Sequence, residues 1–351
     1  MGLSAAWPLA AQAQQPSGKV WRVAYLNPGT LDNPPDRALF DAFRAEMREL
    51  GYMEDKNLVI DNRNAEGNAE RLPSLVSELI ALRPNVIVAV ATPAIAAAQH
   101  ATSTIPIVMA PATDPVGSGF IKSLAHPGGN ITGMANMYGD AIGKSVELLH
   151  SILPAAKRVA VLMSTNPTHL QQYELAEIAL KGLDLAAVRV MAPTPGDLEQ
   201  AFDRMRQENC DALFVLADPT RPTIVSLAAK TKIPAIYQFS NFVVLGGLAS
   251  YGAALPPMFR KAAQYVDKIF KGASPAELPV EQPVAFELAL NLKTAAALGL
   301  SIPDAVLARA DKVIEARLPF LAQLGHPSPH AGCPLPGVKR KTSAPSDYFA
   351  F

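Results

Sequence analysis

Residues 86–110 of this 351-residue chain, VIVAVATPAIAAAQHATSTIPIVMA, decide its fold class. Val86–Val90 is apolar at every position, which is typical of a strand in a parallel sheet that is covered by helices on both faces. We predict a strand over Val86–Ala91, a helix over Ala94–Ala101 and a second apolar strand over Ile107–Ala110. This strand–helix–strand unit predicts an α/β protein.

The same alternation continues on both sides of that segment. Val20–Leu26 is predicted as the first strand, and Asp36–Leu50 as a helix with its apolar residues on one face before Gly51. A second series of helices and strands runs from a helix at Ala141–Ile152 to a strand at Leu248–Ser250. Two such series predict two lobes, each a doubly wound parallel sheet.

The chain is expected to return between these lobes near its carboxyl end. A helix at Pro257–Phe270 and an extended segment at Pro279–Leu288 have the positions of such returns. The predicted division is a signal-peptide remnant and linker at 1–19, lobe 1 at 20–133 plus 253–283, lobe 2 at 134–252 plus 284–318, and a disordered tail at 319–351.

Composition excludes several classes of function. Thirty-one basic residues balance 31 acidic ones, so the chain has no charge excess for binding nucleic acid or an anionic membrane surface. No run of 18 or more apolar residues follows the amino-terminal segment, so we expect no membrane-spanning helix. Leu3–Ala10, followed by Ala11-Gln12-Ala13, has the form of a signal-peptide core and a small-x-small cleavage site, which predicts export.

A series of short motifs runs along nearly the whole chain. The main block consists of Thr104–Val108, Asp114–Gly119 and Pro127–Gly133. The others are Gly51-Tyr52, Arg71-Leu72-Pro73, Ser250-Tyr251-Gly252 and Leu278–Pro283. In this order they resemble the substrate-binding proteins of bacterial ABC importers related to the tryptophan/tyrosine-binding type, from about Trp21 to Glu315.

That resemblance implies a type I periplasmic-binding fold, with three hinge crossings placed here near Gly133, Gly252 and Pro283. It also implies a monomeric periplasmic protein that captures a small organic solute, such as an amino acid, and presents it to ABC permease membrane subunits. A ligand-sensing module of the same fold that serves a receptor is the alternative, and the sequence alone does not separate the two.

Ligands of open α/β sheets bind beyond the carboxyl ends of the strands, so the loops at those ends are the predicted site. Its candidate ligand-binding residues are Asn27, Thr92, Pro93, Ala94, Thr113, Asp114, Asn166, Asp218, Tyr237, Ser250 and Tyr251.

Each group of candidates also has a structural interpretation. Thr92-Pro93-Ala94 predicts a helix start with Thr92 as its cap. The free N–H groups of that helix start would suit a ligand carboxylate, or the segment is an ordinary capped helix. Asp114 and Asp218 precede prolines, and either could accept a ligand ammonium or cap the following helix.

Three aromatic residues follow predicted strands of the second lobe. Tyr237, Phe239 and Tyr251 could cover one face of a ligand or simply pack in the core. A zwitterionic ligand with a flat or apolar side chain would use helix N-terminus, carboxylate and aromatic ring together.

The chain lacks the common signatures of enzymes. Gly117-Ser118-Gly119 has no third glycine and does not directly follow a strand, so we predict no dinucleotide or other cofactor. His326, His330 and Cys333 have metal-like spacing but lie in the predicted tail, and no metal site is assigned. An enzyme on this fold would need clustered acid–base groups on the site loops, where only isolated polar residues occur.

Overall fold

The computed structural model describes residues 19–136, 138–217, 222–283 and 285–315. The predicted signal-peptide segment before residue 19, the predicted tail and Asp218 therefore lie outside the described residues. The strands are β1 Trp21–Asn27, β2 Leu58–Asn64, β3 Val86–Ala89, β4 Ile107–Thr113, β5 Ile131–Asn136, β6 Arg158–Met163, β7 Ala186–Met191, β8 Ala212–Val215, β9 Ala235–Tyr237, β10 Ala249–Ala253, β11 Phe286–Asn291 and β12 Lys312–Ile314.

The α-helices are α1 Pro34–Glu49, α2 Leu72–Ala81, α3 Ala91–Ala101, α4 Gly139–Ile152, α5 His169–Lys181, α6 Leu198–Gln207, α7 Pro222–Thr231, α8 Ser240–Val244, α9 Leu255–Phe270, α10 Leu292–Ala297 and α11 Asp304–Leu307. Short 3₁₀ helices at Ala69–Arg71 and Pro195–Asp197 lead into α2 and α6.

The first sheet is fully parallel and has the strand order β2-β1-β3-β4-β5. Helices α1 and α9 cover one face, where Phe43 and Phe259 are buried. Helices α2 and α3 cover the other face, where Val76 and Ile95 are buried. Val86–Ala89 is buried at all four positions, as the apolar sequence predicted. This sheet is the centre of lobe 1.

The second sheet has seven strands in the order β12-β11-β10-β9-β8-β6-β7. Helices α4 and α5 pack on one face and α6 and α7 on the other. Its pairs are parallel except for β10 with β11, which run antiparallel because the chain re-enters this sheet beside β10 from the opposite direction. The α/β fold class with two sheets is therefore as predicted, with one antiparallel pair added.

The chain passes between the two sheets three times. The first passage joins β5, which ends at Asn136, to α4, and the second joins β10 to α9. The third leads from Glu281, which is hydrogen-bonded to the backbone of Gly133 and Ala135, to β11. Because these passages lie side by side, the carboxyl ends of the parallel strands of both sheets approach each other.

Several predicted bounds differ from the structure. Helix α3 begins at Ala91, three residues before the predicted start, and β10 continues to Ala253 instead of ending at Ser250. β11 begins only at Phe286, so most of the predicted extended segment Pro279–Leu288 is connecting chain. None of the helices in the described part of the chain is long and apolar enough to cross a membrane.

Candidate functional site

A cavity lies between the two lobes, at the carboxyl ends of their parallel strands. Its enclosed volume is about 60 Å³. The lining residues are Asn27, Pro28, Asp36, Leu39, Val90, Ala91, Thr92, Ala110, Pro111, Thr113, Asn136, Asn166, Ala217, Phe239, Asn241, Leu255 and Phe259.

The start of α3 forms part of the lobe 1 wall. The hydroxyl of Thr92 accepts a hydrogen bond from the backbone N–H of Thr113 at 3.0 Å, and both side chains are buried. The expected cap role of Thr92 is therefore wrong, since the N-cap position belongs to Val90 and the Thr92 hydroxyl is used to join the loops after β3 and β4. Ala91 has a positive φ of 58°, a conformation that costs a non-glycine residue energy and is frequent at binding sites.

The loop after β1 is held by Asn27. Its side-chain oxygen accepts the N–H of Gly29 at 3.1 Å, and its amide donates to Asn64 at 3.1 Å. The carboxylate of Asp36, in the first turn of α1, lies against this loop, because a β-carbon added at Gly29 would stand 2.4 Å from Oδ2 of Asp36. Because Gly29 has no side chain, the Asp36 carboxylate has room to reach the cavity wall.

Two asparagines of the cavity wall present buried polar atoms that have no hydrogen-bond partner among the described residues. They are Oδ1 of Asn136, at the first passage between the lobes, and Nδ2 of Asn241, in α8 of lobe 2. Asn136 is 5% exposed and Asn241 is 7% exposed. A buried polar group without a partner costs about 1–3 kcal/mol, so an acceptor and a donor on the cavity wall indicate a polar ligand.

Apolar side chains complete the wall. Leu39, Leu255 and Phe259 come from lobe 1, and Phe239 follows β9 of lobe 2. Phe239 packs against the core cluster that contains α1 and α9, so its ring contacts lobe 1 while its backbone belongs to lobe 2. The cavity therefore has an apolar side suited to a flat ring beside its polar groups.

Four of the predicted site residues meet at this cavity, namely Asn27, Thr92, Thr113 and Asn166. Pro93 lies in the first turn of α3 and Ala94 is fully buried beneath it, and neither lines the cavity. The helix is turned so that its first two residues, rather than the third and fourth, reach the wall.

Asp114 lies in an adjacent groove instead. Its carboxylate accepts the N–H of Gly117 at 2.9 Å. The predicted capping of a following helix is wrong, since the residues directly after Asp114 form turns. Burial, together with the charge of Asp114 and a hydrogen bond to it, raises the pKa of the neighbouring Tyr138 to about 12. Asp114 thus holds the first passage to lobe 1.

The remaining predicted residues of lobe 2 that the structure describes, Tyr237, Ser250 and Tyr251, do not line the cavity. Tyr237 is fully buried and stacks on Phe242 with ring centroids 4.7 Å apart, and burial raises the pKa of its hydroxyl. Ser250 is also fully buried, and Tyr251 stacks on Phe286 beside another groove. Tyr237 and Tyr251 therefore pack against other residues of lobe 2, which is the structural interpretation that the sequence allowed for them.

Three polar side chains of the wall were not predicted from the sequence. Asp36 resembles an ordinary acidic residue in a first helical turn, and Asn136 lies beyond the crossing placed at Gly133. Asn241 belongs to the five-residue helix α8, which is too short to give a periodic signal. A predicted strand that continued past Gly133 to Asn136 would have included this side chain among the candidates.

The charges at this cavity are few. Among the described wall residues Asp36 is the only one that titrates, and no lysine or arginine is present. No group of three or more potential metal ligands occurs among the residues that the structure describes. The polar side chains of the wall are one carboxylate, four asparagine amides and two threonine hydroxyls.

The chain is similar to known proteins over most of its length. The model of a family described as ABC transporter substrate binding protein matches residues 31–314. A tyrosine-binding protein of Clostridioides difficile (strain R20291) is 30% identical over 264 residues, which cover 74% of this chain and 75% of that protein.

Two solved structures are similar over most of the chain. One is the ABC domain of Streptococcus pneumoniae in complex with L-Trp, with a TM-score of 0.76, 27% identity, and coverage of 84% of this chain and all of that one. The other is a conserved domain protein of Vibrio cholerae, with a TM-score of 0.77, 30% identity and the same coverage.

Proposed function

Since this chain belongs to the ABC transporter substrate-binding protein family, we propose that its interlobe cavity captures an amino acid with an aromatic side chain for a membrane permease. The observation that carries the proposal is the pair of unpartnered amide atoms, Oδ1 of Asn136 and Nδ2 of Asn241, beside the Asp36 carboxylate. Acceptors and a donor around one cavity suit a zwitterion, and relatives that bind tyrosine or tryptophan support the choice of side chain.

The ligand's charged groups are assigned by chemistry. Its ammonium is placed at the acceptors, Asp36 and Asn136, because an ammonium has three donors and no acceptor. Its carboxylate is placed at the Asn241 amide and the N–H groups that begin α3, where the helix dipole favours an anion. The ring then lies against Phe239 and the apolar side chains of lobe 1.

Capture is proposed to proceed by hinge closure. The wall takes residues from both lobes, and the three passages between the sheets are the segments about which the lobes would rotate. Only contacts made more strongly in the closed form shift the population towards it. Export to the periplasm, a monomeric state and delivery to permease subunits are part of the same proposal.

Calorimetry with matched ligands tests this assignment. L-tyrosine and L-tryptophan are expected to bind, because each fills the polar and the apolar side of the cavity. Tyramine lacks the carboxylate and 3-(4-hydroxyphenyl)propionate lacks the ammonium, so each should bind at least about tenfold more weakly than L-tyrosine, as expected when a charged hydrogen bond is lost. Equal affinity of the propionate and L-tyrosine would contradict the placement of the ammonium.

A change at Phe239 tests the apolar side. Phe239→Leu keeps an apolar group but removes the ring, and aromatic pairs contribute about 0.5–1.5 kcal/mol beyond their buried area. Affinity for L-tryptophan should therefore fall about two- to tenfold. Phe286→Leu, which changes a ring stacked on Tyr251 outside the cavity, is the matched control and should leave affinity unchanged. Equal effects of the two changes would remove Phe239 from the site.

A further inference from the structure

A connected group of buried polar side chains lies behind the lobe 2 wall of the cavity. We name it the lobe 2 polar network, and none of its members is more than 9% exposed. The members are Ser164, Asn166, Thr168, His169, Gln172 and Gln238. Asn166 lines the cavity, and so does Ala217, whose backbone is hydrogen-bonded to the network.

The partners of His169 fix its protonation state. Its Nδ1 lies 2.7 Å from the backbone nitrogen of Ser164, an N–H that can only donate, so Nδ1 must carry the lone pair. Its Nε2 lies 3.1 Å from the carbonyl oxygen of Ala217, which can only accept, so Nε2 must carry the proton. His169 is therefore a neutral imidazole that joins the loops after β6 and β8.

The same carbonyl receives a second donor. Nδ2 of Asn166 donates to the Ala217 oxygen at 3.2 Å, and Oδ1 of Asn166 accepts both the N–H and the hydroxyl of Thr168, at 3.1 and 3.0 Å. Because the Thr168 N–H can only donate, the orientation of the Asn166 amide is fixed. Among the described residues no partner uses the second N–H of that amide, and Asn166 lines the cavity.

The other side of the Ala217 peptide is held by Gln172. Its Oε1 accepts the Ala217 N–H at 3.0 Å and the side-chain amide of Gln238 at 3.3 Å, while its Nε2 donates to Thr168 at 2.9 Å. The loops after three neighbouring strands, β6, β8 and β9, are thus joined by side-chain hydrogen bonds. All of these hydrogen bonds join described residues of lobe 2.

These contacts set the polarity of the lobe 2 wall. The Ala217 carbonyl and the Asn166 oxygen are both occupied, so the amides that remain at the cavity, those of Asn166 and Asn241, offer donors. The acceptors, Asp36 and Asn136, lie on lobe 1 and on the first passage. We propose that His169 is a positioning residue that makes the lobe 2 wall a donor surface for the ligand carboxylate, an inference that rests on the proposed function of this cavity.

The tautomer of His169 is the first test, and it needs no ligand. In long-range ¹⁵N–¹H spectra of the unliganded protein at neutral pH, the His169 ring should show a protonated Nε2 and an unprotonated Nδ1. A proton on Nδ1 at this pH, alone or in an imidazolium, would overturn the proposal. The tautomer test does not depend on ligand binding. If the wild-type protein bound neither L-tyrosine nor L-tryptophan, the proposed function would be refuted, whichever tautomer His169 has.

The second test separates positioning from folding. In His169→Ala the affinity for L-tyrosine should fall about tenfold or more, while the affinity for tyramine, which has no carboxylate to place, should change much less. His169→Gln, which restores a side-chain N–H for the Ala217 carbonyl, should recover part of the loss. A merely structural role would weaken both ligands equally, and that equality would contradict the proposal.

A matched histidine provides the control. His150 lies in α4 of the same lobe, is half-buried and does not line the cavity. His150→Ala should leave the ratio of L-tyrosine to tyramine affinity unchanged. If His169→Ala does not fold, His169→Gln is the test. Its ratio of L-tyrosine to tyramine affinity should lie below that of the wild-type protein. An unchanged ratio would contradict the proposed role of His169.

Discussion

Asp36→Asn should weaken the binding of L-tyrosine or L-tryptophan about 10- to 100-fold. The carboxylate is the only titrating group among the described wall residues, and hydrogen bonds to charged groups contribute about 1.5–3 kcal/mol, with about 1.4 kcal/mol for each factor of ten in affinity. Asparagine keeps the size and one acceptor oxygen but removes the charge that faces the ammonium. Calorimetry measures the change, and the melting temperature of the unliganded protein reports on folding.

A neighbouring aspartate provides the control. Asp32 lies four residues earlier in the same loop region and is exposed, so Asp32→Asn makes the same chemical change outside the cavity. Its effect on affinity should be less than about twofold, as for an exposed charge. If both variants bound L-tyrosine with unchanged affinity, Asp36 would not contact the ligand and the ammonium would have to lie elsewhere.

Gly252→Ala should destabilise the protein by about 3 kcal/mol or more, at the upper end of effects from overpacking. A β-carbon at Gly252 would stand 1.8 Å from the backbone oxygen of Gln238, so β9 and β10 could not keep their spacing. Gln238 belongs to the lobe 2 polar network and precedes Phe239, so the displaced strand end would also alter the cavity wall. Urea unfolding measures the stability, and ligand binding should fall in parallel.

Gly143→Ala is the opposite case and serves as its control. Gly143 lies inside α4, and an added β-carbon would have no atom within 4 Å. Alanine in a helix interior is favoured over glycine by about 0.5–1 kcal/mol, so this variant should be slightly more stable than the wild-type protein. A Gly252→Ala variant as stable as Gly143→Ala would show that β9 and β10 tolerate a wider spacing than the structure has.

Long apolar patterns made the fold predictable. Val86–Val90 and the one-sided helix at Asp36–Leu50 specify their elements through periodicity and burial, and both appear in the structure within a few residues. Short elements gave no such signal, and α8 with Asn241 was therefore not foreseen. The first passage also lies after Asn136, because β5 continues past Gly133.

The site was only partly predictable for a geometric reason. The rule that ligands bind beyond strand ends identified the correct loops, and Asn27, Thr92, Thr113 and Asn166 meet there. It does not say which side chains of a loop turn inwards. Tyr237 follows the strand pleat into the core, and no sequence pattern distinguishes its ring from one that faces the cavity.

A crystal structure of the protein with L-tyrosine or L-tryptophan, at a concentration that calorimetry shows to be saturating, tests the central claim most directly. We expect the amino acid between the lobes, with its ammonium at Asp36 and Asn136 and its ring against Phe239. A saturated protein whose ligand lies outside this cavity, or whose ammonium points to lobe 2, would contradict the account.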